Sequence, residues 1–561
     1  SFWEMANSRK AGTTRVTLEN LGLQLEIPSG VSLFTAIRKA GLPLNSECGG
    51  RGTCGQCKVR FLNGAPPSTA EDQALIASWD VEEGWRLACQ AFPTTDCRVL
   101  IPQTSIYPRY RKMRVLAEAV GERPPPRPRR RAGAAAYGVA IDVGTTTVVC
   151  YLMDLREARQ VGVATFTNPQ QAFGPDIIAR ITHAHRGRRE LRELQRRLVL
   201  AIDRAIERLC REKRMALESV KSITAVGNMT MLHFLRGIDP WPLGVAPYKP
   251  VFRQSPPLSG ADLGFRRFAH VRVDVLPGVD GHLGSDVVAG VVALGLPRRR
   301  EVTLFMDLGT NGEVVVCCDK TVAGTSCAAG PAFEGVHIRC GMPAFPGAID
   351  RVSEKDGSLE LQTVENEAPQ GLCGSGLVDA VALLLRRGLL LPSGRLQAQS
   401  ELRPGAPPDL SRRLDEEDGE RRFLLYKDSD RGDVVLTQSD IREVQLAKAP
   451  IRAGIEILLK ETGLTADDVK DVFVAGAFGS SIRPDSLLAL GVLPESLRGR
   501  IHAAGNTAGL GARLALTYPR YAREVLKLAR GMQYVELVQR DDFRELFAEN
   551  LAFPSPDGAG V

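Results

Sequence analysis

The sequence predicts a multidomain chain of mixed α+β and α/β type, in which a small N-terminal domain and a linker precede two related lobes. Three observations carry this. A Gly-rich loop, Cys48-Gly-Gly-Arg-Gly-Thr-Cys54-Gly-Gln-Cys57, sits in a run of short strands and helices near the N-terminus. An Arg- and Pro-rich stretch interrupts the chain around residues 103–136. Beyond it, one hairpin design occurs twice, about 165 residues apart: an apolar strand ending in Asp142 or Asp307, a Gly-Thr turn, and an apolar return strand. At 561 residues the chain has room for three or more domains, at roughly 100–200 residues each.

In chain order, Thr13 to Glu19 and Gly22 to Ile27 alternate apolar and polar residues, which predicts two paired strands. Ser32 can cap a helix to about Ala40 with Leu33, Ile37 and Ala40 on one face, and Gly41 ends it. The cysteine loop follows, then a strand from Lys58 to Phe61, a helix near 70–77 and a strand around 98–101. Filling a core does not call for three cysteines in one glycine-rich loop. Such a backbone suits close wrapping of an inorganic cluster, with N–H groups aimed at its sulfurs. The spacing C-x5-C-x2-C, with Cys89 some thirty residues later, lies one residue from the plant-type [2Fe–2S] pattern. A structural zinc site is the competing assignment, because C-x2-C is also zinc spacing. Zinc sites usually pair two such motifs, and here a triplet faces one distant Cys. The segment 13–102 resembles a β-grasp [2Fe–2S] ferredoxin with a vertebrate-type loop. That resemblance implies Cys48, Cys54, Cys57 and Cys89 as the metal ligands.

Consecutive prolines in Glu122-Arg-Pro-Pro-Pro-Arg-Pro-Arg-Arg-Arg131 block helix and sheet and predict an extended spacer. The alternative is that its arginines also dock an acidic surface. Arg123, Arg127, Arg129, Arg130 and Arg131 account for most of the net charge of +7. The excess is local, so a nucleic-acid partner is not expected. Twelve cysteines in this length are too dilute for a disulfide scaffold. No run of eighteen apolar residues predicts a membrane span. No signal-peptide pattern is seen in a sequence that starts at Ser1 and not at Met. The expected compartment is a reducing cytoplasm.

In the first hairpin an apolar strand from Tyr137 reaches Asp142, Gly144-Thr145-Thr146-Thr147 turn the chain, and a second strand returns from Val148. Backbone N–H groups and hydroxyls in such a turn can hold phosphate oxygens, and the Asp can hold Mg²⁺ or orient water. An ordinary β-hairpin is the competing reading. The second hairpin repeats the design with Asp307, Gly309, Thr310, Asn311, Gly312 and Glu313. A buried strand, Val472-Phe-Val-Ala, opens into Gly476-Ala-Phe478-Gly479. These three motifs in order resemble the phosphate-1, phosphate-2 and adenosine motifs of the actin, sugar-kinase and acetate-kinase superfamily over residues 137–520. The resemblance implies two ribonuclease-H-like lobes, about 137–300 and 301–550, closing on Mg·ATP. Asp286, at the start of what resembles the connecting helix, is a candidate partner of the metal or water, or equally a solvent-facing helix-start carboxylate. Gly374 and Ser375 open an apolar helix whose N-terminus suits phosphate oxygens, although tight helix packing explains the glycines equally well. Residues 393–432 look like an exposed insertion, and the tail after Phe553 looks disordered.

A tethered ferredoxin fused to such an ATPase resembles the reductive activators of corrinoid (cobalamin-dependent) proteins. The strings Asn228-Met-Thr-Met-Leu-His, Asp307-Leu-Gly-Thr-Asn-Gly-Glu, Leu372-Cys-Gly-Ser-Gly and Ala475-Gly-Ala-Phe-Gly are similar to that family's. The resemblance implies a [2Fe–2S] cluster, ATP and Mg²⁺ as cofactors, and a corrinoid protein of a methyltransferase system as partner. It further implies an upstream low-potential electron donor and a homodimer. Two rivals stay open: an activator of a 2-hydroxyacyl-CoA dehydratase or benzoyl-CoA reductase, and a small-molecule kinase fused to a ferredoxin. The first usually holds its cluster within the ATPase fold, and no paired cysteine motif follows residue 137. In the second, phosphoryl transfer has no need of electrons.

Overall fold

The strand Thr13–Leu18 (β1) turns Thr14, Val16 and Leu18 inward and Arg15 outward, as its alternation predicts. It pairs antiparallel with Leu23–Pro28 (β2). With Lys58–Asn63 (β3), Trp85–Leu87 (β4) and Cys97–Leu100 (β5) they form one sheet of order β2-β1-β5-β3-β4, where β1 and β5 run parallel. β4, three residues long, is too short to show a period and was missed by the sequence reading. The helix Leu33–Lys39 is capped by Ser32, whose Oγ accepts from Thr35 N at 3.2 Å. It buries Leu33, Phe34 and Ile37 against Val16, Val59 and Val99, each contributing about 1.5–3 kcal/mol. This is the β-grasp order expected for 13–102. The computed structural model describes residues 13–19, 23–40, 44, 50, 52, 57–76, 78–101, 136–174, 176–309, 311–319, 321–428, 432–476, 482–538 and 540–555. The Arg/Pro spacer, apart from Ala136, and the tail from 556 therefore lie outside the described residues.

The second sheet grows from the first hairpin. Tyr137–Val143 (β6), Thr147–Asp154 (β7) and Arg159–Thr167 (β8) form an antiparallel meander. Val220–Gly227 (β9) adds to β6 in parallel, followed by Leu258–Ser259 (β10) at the edge and Arg272–Val275 (β11) between them, giving the order β10-β11-β9-β6-β7-β8. The helix Arg188–Glu212 covers one face with Leu194, Leu198, Ile202, Ile206 and Leu209 buried along a stripe of three- and four-residue steps.

The second lobe repeats the plan. Thr303–Leu308 (β12), Gly312–Cys318 (β13) and Thr321–Cys327 (β14) form the meander, and the strands Asp471–Ala475 and Ile501–Gly505 extend it in parallel from β12. One core cluster joins the lobes: Ala140, Val149 and Tyr151 pack with Phe305, Val315 and Phe473. The helices Ser285–Ala293 and Thr507–Thr517 cross within it, at Gly290 and Gly511. A Cβ built at Gly290 would stand 2.5 Å from Thr507 Oγ1, so only glycine permits this approach.

The stretch 393–432 departs from the sequence expectation. Its described residues are folded in: Leu414–Glu417 pairs with Glu420–Tyr426, which pairs in turn with Val434–Thr437. Leu410, Leu414, Phe423 and Leu425 join the second-lobe core. Its acidic run, Asp415 to Asp418, faces outward on that small sheet and conceals the alternation beneath it. Phe553, at the start of the expected loose tail, is itself 3% exposed.

Candidate functional site

Cys57 and Cys89 are brought together by backbone. Ala88 N–H donates to Cys57 O at 2.8 Å, and Phe34 N–H donates to Ala88 O at 2.9 Å. Asp72 is fully buried and anchors this segment: its Oδ1 accepts from Leu87 N at 2.7 Å while its Oδ2 accepts from Thr69 N at 2.9 Å. Gly50 and Gly52, in the loop, take φ of +94° and +81°, the left-handed region that favours glycine. A Cβ built at Gly50 would stand 3.8 Å from Cys89 Cβ, so Gly50 lies against the Cys89 side chain. Gln90 Nε2 donates to Cys89 Sγ at 3.7 Å. Two buried thiols under a glycine backbone of positive φ fit a cluster cradle. Cys48 and Cys54 lie outside the described residues.

The first phosphate-type turn is fastened by its own lobe. Gly144 N–H donates to Thr147 O at 3.0 Å, and Gly144 O accepts from Asn168 Nδ2 at 2.9 Å. Thr145 O accepts from Arg180 Nη1 at 2.7 Å, and its Oγ1 accepts from Asn228 Nδ2 at 3.0 Å. Asn228 also caps the helix Met229–Arg236. Two contacts then cross to the second lobe: Thr146 Oγ1 donates to Glu334 Oε2 at 3.5 Å, and Asn506 Nδ2 donates to Asp142 Oδ2 at 2.8 Å. Asn506, at the start of the helix Thr507–Thr517, thus stands on the first carboxylate. Glu334 was missed, and nothing in its local sequence marks it.

Four carboxylates line the floor of the cleft. Burial pushes Asp142 up to about 6, an effect partly opposed by the Asn506 amide. Burial raises Asp286 to about 7, with the Val287 N–H lowering it and Asp142 raising it. Asp307 goes to about 7 through burial and the charges of Asp286 and Asp142. Burial, Asp286 and Asp307 carry Glu313 well above the ordinary carboxylate range. The structure therefore brings Asp142, Asp286 and Asp307 together, and it favours the cleft reading of Asp286 over a solvent-facing helix start. Such a set holds protons or a cation. Among the described residues no three acids, histidines or cysteines converge closely enough to ligate one ion. A cation here would lean on one or two carboxylates and on phosphate or water, which is the habit of Mg²⁺.

The second turn is closed by Gly309 N–H to Asn311 O at 2.9 Å. Gly312 lies against Ile451, 2.7 Å from a built Cβ. Thr310 falls outside the described residues, as do Phe478 and Gly479. Gly476 has φ +93°, and a Cβ there would stand 2.6 Å from Asp307 Oδ1, so this glycine also makes room for the second carboxylate. Gly374 and Ser375 are not joined to the four acids by any described contact. Ser375 is 3% exposed with its hydroxyl 3.4 Å from Cys373 Sγ, and Gly376 packs on Ile349. Close packing is what the described geometry gives this helix start.

Comparison with known proteins matches these parts in order. Residues 16–94 match a family model described as a 2Fe-2S iron-sulfur cluster binding domain, 137–299 one described as the RACo middle region, and 301–559 one described as the C-terminal domain of RACo, the ASKHA domain. The corrinoid activation enzyme RamQ of Eubacterium limosum is 30% identical, over 96% of this chain and 99% of its own length. The [Co(II) methylated amine-specific corrinoid protein] reductase of Methanosarcina barkeri is 23% identical over 70% of this chain and 72% of its own length. A solved structure, the reductive activator for corrinoid, iron-sulfur protein, superposes with a TM-score of 0.69 at 27% identity, covering 97% of this chain and 98% of that one. With the ferredoxin fold, the paired lobes and full-length similarity in agreement, the chain belongs to the RACo-type reductive activators of corrinoid proteins.

Proposed function

We propose that this chain uses ATP to drive the one-electron reduction of a partner's Co(II) corrinoid to Co(I), the form needed for methyl transfer. One observation carries the reading: two phosphate-type turns face a shared floor of carboxylates, bridged from lobe to lobe by Asn506–Asp142 and Thr146–Glu334, in a chain that also bears a ferredoxin domain. A bound [2Fe–2S] cluster would supply the one electron that Co(II) needs to become Co(I). Cys48, Cys54, Cys57 and Cys89 would hold it.

Asp142, Asp286 and Asp307 would position Mg²⁺ and the attacking water, while Thr145, Thr146, Thr147, Thr310 and Asn311 hold phosphate oxygens. Gly476, Phe478 and Gly479 would admit the adenosine. Bound Mg·ATP would offset the mutual repulsion of Asp142, Asp286 and Asp307, and the contacts Asn506–Asp142 and Thr146–Glu334 would hold the two lobes on it. An uphill electron transfer of about 200 mV costs roughly 4.6 kcal/mol. Nucleotide can supply that only through differential binding of the partner's states. The two ATPase lobes would therefore grip the Co(II) protein while the tethered ferredoxin domain, 13–102, approaches on its 103–136 spacer. A corrinoid protein of a methyltransferase system, a low-potential reductant upstream, a homodimeric state and a cytoplasmic location complete the proposal.

The test is a stopped-flow mixing of the reduced holoprotein, Mg·ATP and a Co(II) methyltransferase corrinoid protein. Growth of the Co(I) absorbance only with ATP is expected. Its absence with every such partner, while ATP turnover proceeds, sinks the reading and returns the kinase alternative.

A further inference from the structure

The motif Asn228-Met-Thr-Met-Leu-His233 does more than cap the first turn. Every side chain from Met229 to Leu235 is buried, so the helix is packed on all sides. At its start Asn228 holds Thr145 Oγ1 at 3.0 Å. At its other end His233 is fully buried, its Nδ1 donating to Met229 O at 2.6 Å and its Nε2 accepting from Val251 N at 3.1 Å. The Phe252 ring stacks on His233 with centroids 4.5 Å apart, and Arg236 lies 4.3 Å over Phe252. The helix thus links a phosphate-facing hydroxyl to the segment 245–254.

That segment has a second fastening. Lys249 Nζ donates to Asp280 Oδ2 at 2.8 Å, Arg253 Nη2 reaches the same oxygen at 3.4 Å, and Arg253 O accepts from Gly278 N at 3.0 Å. Asp280 leads directly into the helix that carries Asp286, and Ser285 Oγ accepts from Gly227 N at 3.2 Å where the two helix starts meet. A third tie comes from the second lobe, where Arg530 Nη2 donates to Gln254 Oε1 at 2.8 Å. One surface segment is therefore held by one cleft-facing helix, by the loop that leads into the other, and by the opposite lobe.

Its outer face is built for contact. Val251 is 57% exposed although its N–H is spent on a buried histidine. Lys249 and Arg253 stand 54% and 56% exposed over Asp280, which is 9% exposed, so the charge turned to solvent is cationic. An apolar centre with a cationic rim complements an apolar patch rimmed by carboxylates.

We propose that segment 245–254 is the docking element for such an acidic-rimmed patch on the corrinoid protein, and that the helix Met229–Arg236 sets its position from the nucleotide cleft. This rests on the activity proposed above. Both halves are tested on the full-length holoprotein, with the Co(II) form of a methylated-amine corrinoid protein as probe. Val251→Asp is expected to raise the KM for that protein at least about tenfold, with kcat at saturation and partner-free ATP turnover within about twofold. Lys249→Gln is expected to raise it less and to flatten its dependence on salt. His233→Gln is expected to compress the ratio of partner affinities measured with a non-hydrolysable ATP analogue and with ADP. An unchanged KM in Val251→Asp overturns the docking surface. If KM is unchanged and electron delivery falls, the occupant is the chain's own ferredoxin domain, which also overturns it. An unchanged affinity ratio in His233→Gln, or in Val251→Pro should that variant of His233 not fold, overturns the coupling. A parent chain that answers no corrinoid protein sinks the underlying activity instead, so the two failures are separable.

Discussion

The two Asp-containing hairpins share a sequence design and differ in what stands beside the carboxylate. Asp142 on β6 faces Val149 across the hairpin, whereas Asp307 on β12 faces Glu313. Like charges directly opposite on a sheet repel. Asp142 is relieved by the Asn506 amide at 2.8 Å, and its turn is fastened by Asn168, Arg180 and Asn228. Asp307 takes its environment from burial and from Asp286 and Asp142. In the function proposed above, the first turn is a preset clamp, and the second carboxylate is the one that would take a cation with the nucleotide.

The strongest way to break this comparison is to remove the second carboxylate. Asp307→Asn should lower ATP turnover by about 10²–10³-fold, while the visible spectrum of the bound cluster stays as in the parent. The Asn228 and Asn506 contacts to the first turn do not involve it, so the fold should survive. Loss of both turnover and spectrum would make Asp307 a structural residue. Gly476→Ala comes next. The left-handed φ of +93° costs roughly 1–2 kcal/mol for a residue with a Cβ, and that Cβ would stand 2.6 Å from Asp307 Oδ1. Weakening of ATP binding by about tenfold or more is expected from titration calorimetry. Unchanged binding would mean the strand end can shift without disturbing the acid.

Asn506→Ala sharpens the comparison from the other side. A hydrogen bond to a charged group contributes about 1.5–3 kcal/mol, so turnover should fall about tenfold. The acid limb of the pH–rate profile should also move to higher pH, because Asp142 loses the donor that holds it down. A lower rate with an unmoved acid limb would assign Asn506 to lobe alignment only.

How much of this was legible in the sequence follows from the same contrast. Apolar strands ending in Asp-x-Gly-Thr carry their own hairpin, and the cysteine spacing carries its own domain, so the fold class and the hairpin acids Asp142 and Asp307 could be read without coordinates, while Asp286 stood equally as a solvent-facing helix start. Asn506 and Glu334 reach the cleft across a lobe boundary, 364 and 188 residues from their partners. Local pattern has no access to such contacts. The segment 393–432 failed for a different reason: a surface acidic run overlies Leu414 and Phe423, and composition outweighed alternation. Gly374-Ser375 reads like an anion site and packs like a helix–strand contact, because close approach and phosphate binding call for the same residue types.

The smallest expected effect is on stability, and its sign separates proton from cation. Asp286 and Asp307 are raised from the ordinary carboxylate range, near 4, to about 7, and Asp142 to about 6. The folded, nucleotide-free chain therefore binds more protons than the unfolded chain between about pH 4 and 7. Its stability should fall as pH rises through that window. Thermal melts of the ATPase part in the full chain should drop by a few degrees between pH 5.5 and 7.5, measured at about constant ionic strength. Mg·ATP binds only the folded state and the ionised acids, so it should raise the melt and flatten the slope. Asp307→Asn removes one of the raised groups and a neighbour of the rest, and should flatten the nucleotide-free slope. A melt that stays level with pH in the parent, without nucleotide, would mean these acids are already ionised and paired, and the second hairpin would then be as preset as the first.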